Sequence, residues 1–284
     1  MNKIDKVVIV GGGAAGWLTA LFLKTYLGNS IKVSVVTTAI IPPMTVGEST
    51  NGPYTQFLDA LGITRNLLIK ECDATIKIAS EFDAWVSQET GYRWTHEFQP
   101  NTTHQGIPLF HYWMRLFREG KIASQYQKAC FLNTHMIRQC RVPFGDDFAG
   151  AQFPYGYHLD GNKFIALLKR KAMAKGAHWV DAKLAHVDKK NNGHIRHLVL
   201  ADGSTIAGDF FIDSTGFSRR LSTLAYGDVD LFEDVYHYLR CDRAMQIILP
   251  RGNEAIRPST LGSALTNGWV WDIPLRDHTS YVYV

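Results

Sequence analysis

Lys6-Val7-Val8-Ile9-Val10-Gly11-Gly12-Gly13-Ala14-Ala15-Gly16 decides the fold class of this chain. Val7 to Val10 is an unbroken β-branched run, the pattern of a strand buried on both faces of a parallel sheet. The glycines then make a turn, and Trp17 to Tyr26 reads as a helix with Leu18, Leu21, Leu23 and Tyr26 largely apolar. Strand, glycine turn and helix in that order form the context in which such a turn binds a dinucleotide. Gly11 permits the tight turn, Gly13 lets main-chain amides approach a pyrophosphate, and Gly16 allows the helix to pack closely on the strand. Gly12, Ala14 and Ala15 complete the turn, and the positive end of the helix dipole faces the phosphates. The reading is an α/β, Rossmann-type fold.

Working outward, Ile31 to Val36 is the second strand. Dinucleotide folds usually end it with an acidic residue for the ribose hydroxyls. Here Thr37-Thr38 stands in its place, which leaves hydroxyl contacts without the charge-assisted contribution and predicts modest cofactor affinity. After Pro42-Pro43 comes a loop, Met44 to Thr50. Further on, Trp179 to Val187 and His197 to Leu200, separated by Asn191-Asn192-Gly193, read as a hairpin. Phe210 to Asp213 reads as another buried strand. With no internal repeat or low-complexity linker, the chain is expected to form a single module over 1–284. Cofactor segments at about 1–55 and 155–225 alternate in it with substrate segments at about 70–150 and 230–284.

Composition excludes several classes. The 284 residues are 46% hydrophobic and 12% aromatic, as in a globular protein. The formal charge of +4 is spread without a lysine or arginine block, so nucleic acid is not an expected partner. No apolar run approaches the ~20 residues that cross a bilayer, so no membrane span is expected. The chain opens on a lysine-flanked strand instead of a secretory signal. A cytoplasmic location, with Cys72, Cys130, Cys140 and Cys241 as reduced thiols, follows from that reading. Neither the cysteines nor the eleven histidines show metal-ligand spacing, so no metal is expected. Ser214, in Asp-Ser-Thr-Gly, lacks the setting of a nucleophile elbow.

The remaining motifs point in one direction. They are Val46-Gly47-Glu48-Ser49-Thr50, Ala74-Thr75-Ile76-Lys77-Ile78-Ala79 with Phe82 and Trp85, His111-Tyr112-Trp113, Tyr157-His158-Leu159-Asp160, Phe211-Ile212-Asp213-Ser214-Thr215-Gly216-Phe217, Leu239-Arg240-Cys241-Asp242-Arg243-Ala244 and Trp269-Val270-Trp271-Asp272-Ile273-Pro274. In this order, and over essentially the whole chain, they resemble the flavin-dependent halogenases typified by the tryptophan halogenases. The resemblance implies an FAD-binding, flavin monooxygenase-like fold. It also implies an enzyme that uses FADH2 from a separate flavin reductase, with O2 and chloride or bromide, to make hypohalous acid. The substrate it implies is an electron-rich aromatic of the tryptophan or indole type, and it leaves room for a homodimer.

Residue by residue, the resemblance places Lys77 at the family's catalytic lysine, which holds hypohalous acid or forms a haloamine with it. Thr38, Ile41, Met44, Val46 and Ser49 fall at flavin-contact positions and Val187 at one that touches adenine. Glu48 lies in the same flavin loop; as a bare residue it also suits the first turn of a helix. His96 and Phe98 match the His-x-Phe segment that flanks an indole ring, although Gln99-Pro100 replaces the family's following glycine. Trp269 and Trp271 match bulky residues lining the flavin and tunnel region, whose role is steric.

Relatives in this family are longer, and the chain reads as an N-terminal half. A second flavin-contact segment, the halide-binding backbone, a glutamate paired with the lysine and a substrate lid are expected to be absent. Ser280 to Val284 is then expected to leave strand edges bare, so that the chain associates, binds FAD weakly and does not halogenate. Two other functions fit parts of the same sequence: a flavin-dependent monooxygenase that hydroxylates its substrate, and a non-catalytic flavin-binding fragment.

Overall fold

The computed structural model describes residues 3–86, 92–144, 153–227 and 233–284; parts of the segments read at about 70–150 and 230–284 lie outside these. The chain divides into two compact units. The first comprises Met1–Thr45 with Gly161–Val235, the second Val46–Asp160 with Tyr236–Val284.

The first unit is built on Lys6–Val10. This strand pairs in parallel with Lys32–Thr37 on one side and Phe210–Asp213 on the other, and His178–Asp181 adds a fourth parallel strand beside Lys32–Thr37. Val7 to Val10, Val33, Val35 and Val36 are all buried, as expected for a sheet covered on both faces. Helices Ala14–Tyr26 and Gly161–Ala174 pack on each other. A second, antiparallel sheet of Leu184–Lys189, Ile195–Leu200 and Thr205–Ala207 packs through Leu184, Val187, Leu198 and Leu200 onto Val8, Val10 and Val36. The stretch read as one strand from Trp179 to Val187 is therefore two. His178–Asp181 joins the parallel sheet, and the chain then turns at Ala182 to start the hairpin.

Two glycines set the geometry of the turn. Gly11 has φ +112°, and a Cβ there would lie 2.2 Å from the Ser214 carbonyl oxygen. At Gly16 a Cβ would lie 2.0 Å from the Gly11 carbonyl oxygen. Only hydrogen fits at these places, and that absence lets the helix start directly against two strand ends.

Besides the short antiparallel pair of Thr103–His104 and Ile107–Pro108, the second unit holds two sheets among the described residues. In the smaller, Gly156–Leu159 lies between Glu48–Ser49 and Thr75–Lys77, antiparallel to both. Glu48 is thus in a short strand, and the next helix, Gly52–Ala60, begins after it with Asn51 as its N-cap. The larger sheet has the order Met245–Pro250, His278–Tyr283, Gly268–Pro274, Ser259–Leu265, Ala79–Asp83 and Arg93–Glu97. Its pairing is antiparallel except between Ser259–Leu265 and Ala79–Asp83. Ile78 is the changeover between the sheets: its N–H donates to Pro258 and its carbonyl accepts from Phe98 and from the Asn133 amide. The expectation that Ser280–Val284 leaves strand edges bare is corrected here. His278–Tyr283 is an interior strand, paired on one side with Met245–Pro250 and on the other with Gly268–Pro274. The exposed edge belongs to Met245–Pro250 instead.

The glycine geometry makes a test. Gly16→Ala should lower stability by about 2–3 kcal/mol through forced displacement of the turn. Gly13→Ala, at φ −73° with no atom within 4 Å of the new Cβ, should change it by less than about 1 kcal/mol. Urea midpoints of the two variants check the contrast.

Candidate active site

In the first unit, helix Ala14–Tyr26 begins at Gly13 with no side-chain cap and no acidic residue in its first turn. The Cβ position of Gly13 faces open space, whereas those of Gly11, Gly12 and Gly16 are blocked by Ser214, Thr37 and the Gly11 carbonyl. An uncapped helix N-terminus, open on one side and free of negative charge, fits a dinucleotide pyrophosphate. Ala14 and Ala15 form the start of that helix. Thr38 Oγ1 accepts the Ile40 N–H at 3.3 Å, and Ile41 and Met44 are exposed, Met44 to 79%.

Sequence reading missed Asp181. It lies opposite Thr37 in the sheet, and its Oδ1 accepts the Ala39 N–H at 3.1 Å. A carboxylate thus stands at the end of the second strand after all, supplied by a neighbouring strand 142 residues along the chain. No local pattern signals it. Val187 is 2% exposed and packed in the core, so any adenine contact there falls to its main chain. Asp213 fixes the far side of the turn. Burial works against its charge, but hydrogen bonds from Thr215 and Ser222, each through main chain and hydroxyl, hold its carboxyl below the usual range.

In the second unit, Lys77 is 7% exposed. Burial lowers its amine to about 8. Its Nζ donates to Ser49 Oγ at 2.8 Å and lies 5.3 Å from the centroid of the Phe98 ring. Among the described residues no carboxylate pairs with it. A two-residue period puts Thr75 on the same face of the strand as Lys77, and the register sets His158 opposite both Thr75 and Ser49. A line of contacts results. Ser49 Oγ is 3.0 Å from Thr260 Oγ1, which is 2.8 Å from His158 Nε2; His158 Nδ1 is 3.1 Å from Thr75 Oγ1, which donates to the Pro274 carbonyl at 2.7 Å. His158 is fully buried. Burial first, then the charges of Lys77 and Arg257, push it well below its ordinary value against a small opposing effect of the Pro274 carbonyl. It is a neutral imidazole.

Glu48 sits beside this line. Burial, with a smaller contribution from Asp160, raises its carboxyl to about 7, and its Oε2 has no hydrogen-bond partner among the described residues. Ser49 and Val46 are exposed. The aromatic residues occupy the larger sheet. Phe82 stacks on Trp94 at 4.2 Å and meets Trp271 and Trp85 edge-on at 5.9 Å, while Trp85 contacts Trp269 at 5.6 Å. The Trp271 ring covers Gly262, where a Cβ would lie 2.6 Å from it. The structure therefore gathers Lys77 with Phe98 and Ser49, and the two tryptophans with Phe82. His96 is exposed on the strand Arg93–Glu97 without joining either group. Among the described residues no group of His, Cys, Asp or Glu is placed to hold a metal ion, and no helix is long and apolar enough to cross a membrane.

Comparison with known proteins identifies the family. The family model described as tryptophan halogenase matches residues 6–284. The chain belongs to that family. It is similar to tryptophan 7-halogenase RebH of Lentzea aerocolonigenes, at 32% identity over 300 residues, covering 99% of this chain and 56% of RebH. Tryptophan 6-halogenase ThaL of Streptomyces albogriseolus is also 32% identical, with the same coverage. Among solved structures, tryptophan 6-halogenase SttH of Streptomyces toxytricini superposes with a TM-score of 0.88 at 29% identity, covering 100% of this chain and 58% of that one. BrvH, a flavin-dependent halogenase from Brevundimonas sp. BAL3, gives 0.85 at 30% identity, covering 99% and 56%. The chain thus spans a little over half the length of the halogenases it matches, and its fold is the flavin-binding Rossmann type of that family.

Glu48 provides a test of the electrostatics. Below about pH 4.5 its carboxyl is protonated folded or unfolded. Between 4.5 and about 7 the unfolded chain releases the proton while the folded one retains it, so stability falls as pH rises through that window. Above it the folded carboxyl ionises too and the slope ends. Glu48→Gln should remove this slope, gaining on the wild type from pH 4.5 to 7. Urea unfolding across that range measures it; parallel curves would exclude a protonated Glu48.

Proposed function

We propose that this chain carries the flavin-binding and lysine-bearing part of a halogenase that acts on tryptophan or a related electron-rich indole. FAD is its cofactor, a separate reductase supplies FADH2, and chloride or bromide and O2 are co-substrates. The observation that carries this reading is Lys77: a buried amine held by one serine hydroxyl and flanked by an aromatic ring.

The residues divide the work by chemistry. The Gly11–Gly16 turn and the N-terminus of its helix bind the pyrophosphate, with Asp181 and Thr38 available to the ribose hydroxyls. Ile41 and Met44 are further exposed side chains of the same unit offered to the cofactor. Bound reduced FAD supplies, from dioxygen and halide, hypohalous acid. Lys77 Nζ then either donates a hydrogen bond to that acid or, as the free amine, takes its halogen and releases water, leaving an N–halogen bond. An amine titrating at about 8 populates both forms near neutral pH. Phe98 and His96 offer flat faces to the arene. The bulk of Trp269 and Trp271 keeps the organic substrate away from the oxidant, which favours halogenation over hydroxylation.

Two experiments test the reading. Gly13→Val, in an extended backbone that tolerates a β-branched residue, should abolish FAD binding in an equilibrium titration and leave the fold intact. Unchanged affinity would make the turn purely structural. Mass spectrometry of reactions with tryptophan and indoles, bromide, FADH2 and a reductase reports the chemistry. In a chain extended to the length of its relatives, Lys77→Ala should lower halogenated product by about 100-fold or more while flavin oxidation continues. Halide-independent hydroxylated product would identify a monooxygenase instead.

A further inference from the structure

The line of contacts from Lys77 to Pro274 has a direction, and the chemistry of its two ends determines it. The Pro274 carbonyl can only accept. At 2.7 Å the hydrogen between it and Thr75 Oγ1 must come from Thr75. With that hydrogen committed, His158 Nδ1, 3.1 Å from the same oxygen, must be the donor. A neutral imidazole carries one N–H, so Nε2 is bare and accepts from Thr260 Oγ1 at 2.8 Å. The Thr260 hydrogen is then used, and Ser49, 3.0 Å away, donates to Thr260. The Ser49 oxygen is left to accept from Lys77 Nζ at 2.8 Å. Every bond is assigned, and each follows from the one before.

We propose that His158 is a positioning residue for Lys77: through Thr260 and Ser49, its bare Nε2 obliges Ser49 to accept from the lysine and never to donate to it. The role in halogenation rests on the function proposed above; the direction of the bonds does not. As an ammonium, Lys77 keeps two further N–H groups for the oxidant. As a free amine it still donates to Ser49, so its electron pair is not consumed by the serine and stays available to a halogen. If Ser49 were free to turn, its hydroxyl would bond that electron pair and mask it. A protonated His158 would reverse the line, aiming the Ser49 hydrogen at the lysine. The two cations facing His158, Lys77 and Arg257, oppose that state, while Arg257 is itself paired with Glu81 and Asp272.

Nitrogen-15 NMR of the chain, without cofactor, tests this. The wild-type His158 ring should show a protonated Nδ1 and a bare Nε2 from about pH 6 to 9. Thr260→Val frees the Ser49 hydroxyl to bond the Lys77 amine, which favours the uncharged form, so the Lys77 titration midpoint should fall by roughly half a unit or more. Thr260→Ser, which restores the hydroxyl, should bring it back. A proton on Nε2, or the same Lys77 midpoint in Thr260→Val and wild type, overturns the proposal. The wild-type tautomer and the Thr260→Ser titration decide it if the valine variant does not fold. Full halogenation by Lys77→Ala in a chain extended to the length of its relatives would overturn the functional reading instead, leaving the measured bond directions untouched.

Discussion

An ammonium group loses much of its hydration when it is buried, and the second unit is arranged around that loss at Lys77. No carboxylate repays it among the described residues. The compensation is one hydroxyl and the face of Phe98, and the amine responds by titrating near neutrality. That outcome requires the small sheet to exist. Its central strand, Gly156–Leu159, brings His158 opposite both Thr75 and Ser49, and Ile78 carries the lysine strand on into the larger sheet.

The cofactor turn is governed by a different constraint, the absence of side chains. Gly11 and Gly16 let a helix begin against two strand ends, and the open flank of Gly13 is what remains for a ligand. Negative charge is absent from the first turn of the helix but present at Asp181 and Asp213, where strands end. Anion and hydroxyl recognition are thereby separated within one unit. Helix dipole and amides suit phosphates, and carboxylate and threonine suit sugar hydroxyls.

Much of this was legible in the sequence because it is local. The run Val7–Val10 and the glycines state the strand, turn and helix in one continuous stretch from Lys6 to Tyr26, and the order of the family motifs places Lys77. What could not be read is whatever depends on strand register. Thr37 looked like a lost acidic residue because Asp181 reaches that place from another strand. His158 and Thr260 belong to segments 102 residues apart, and nothing in either announces a partnership with Lys77. The division at Ala182 between a parallel strand and a hairpin was invisible for the same reason: both halves are apolar alternating segments, and only their partners differ. The burial of the Val187 side chain was equally illegible, because it depends on how the hairpin packs on the parallel sheet.

The interleaving of the two units has a consequence for how the chain is made. Val7 finds its neighbour in Phe210, and the whole first segment of the second unit is synthesised between them. At ribosomal speeds of about 5–20 residues per second, that strand waits roughly 10–40 s with one edge unpaired. The second unit is delayed in turn, because Ala79–Asp83 pairs with Ser259–Leu265. Neither half can close in the order it is translated. Folding is therefore dominated by distant pairings, the slow regime of chain topology, and a growing polypeptide of this design depends on protection of its apolar strands until late residues emerge.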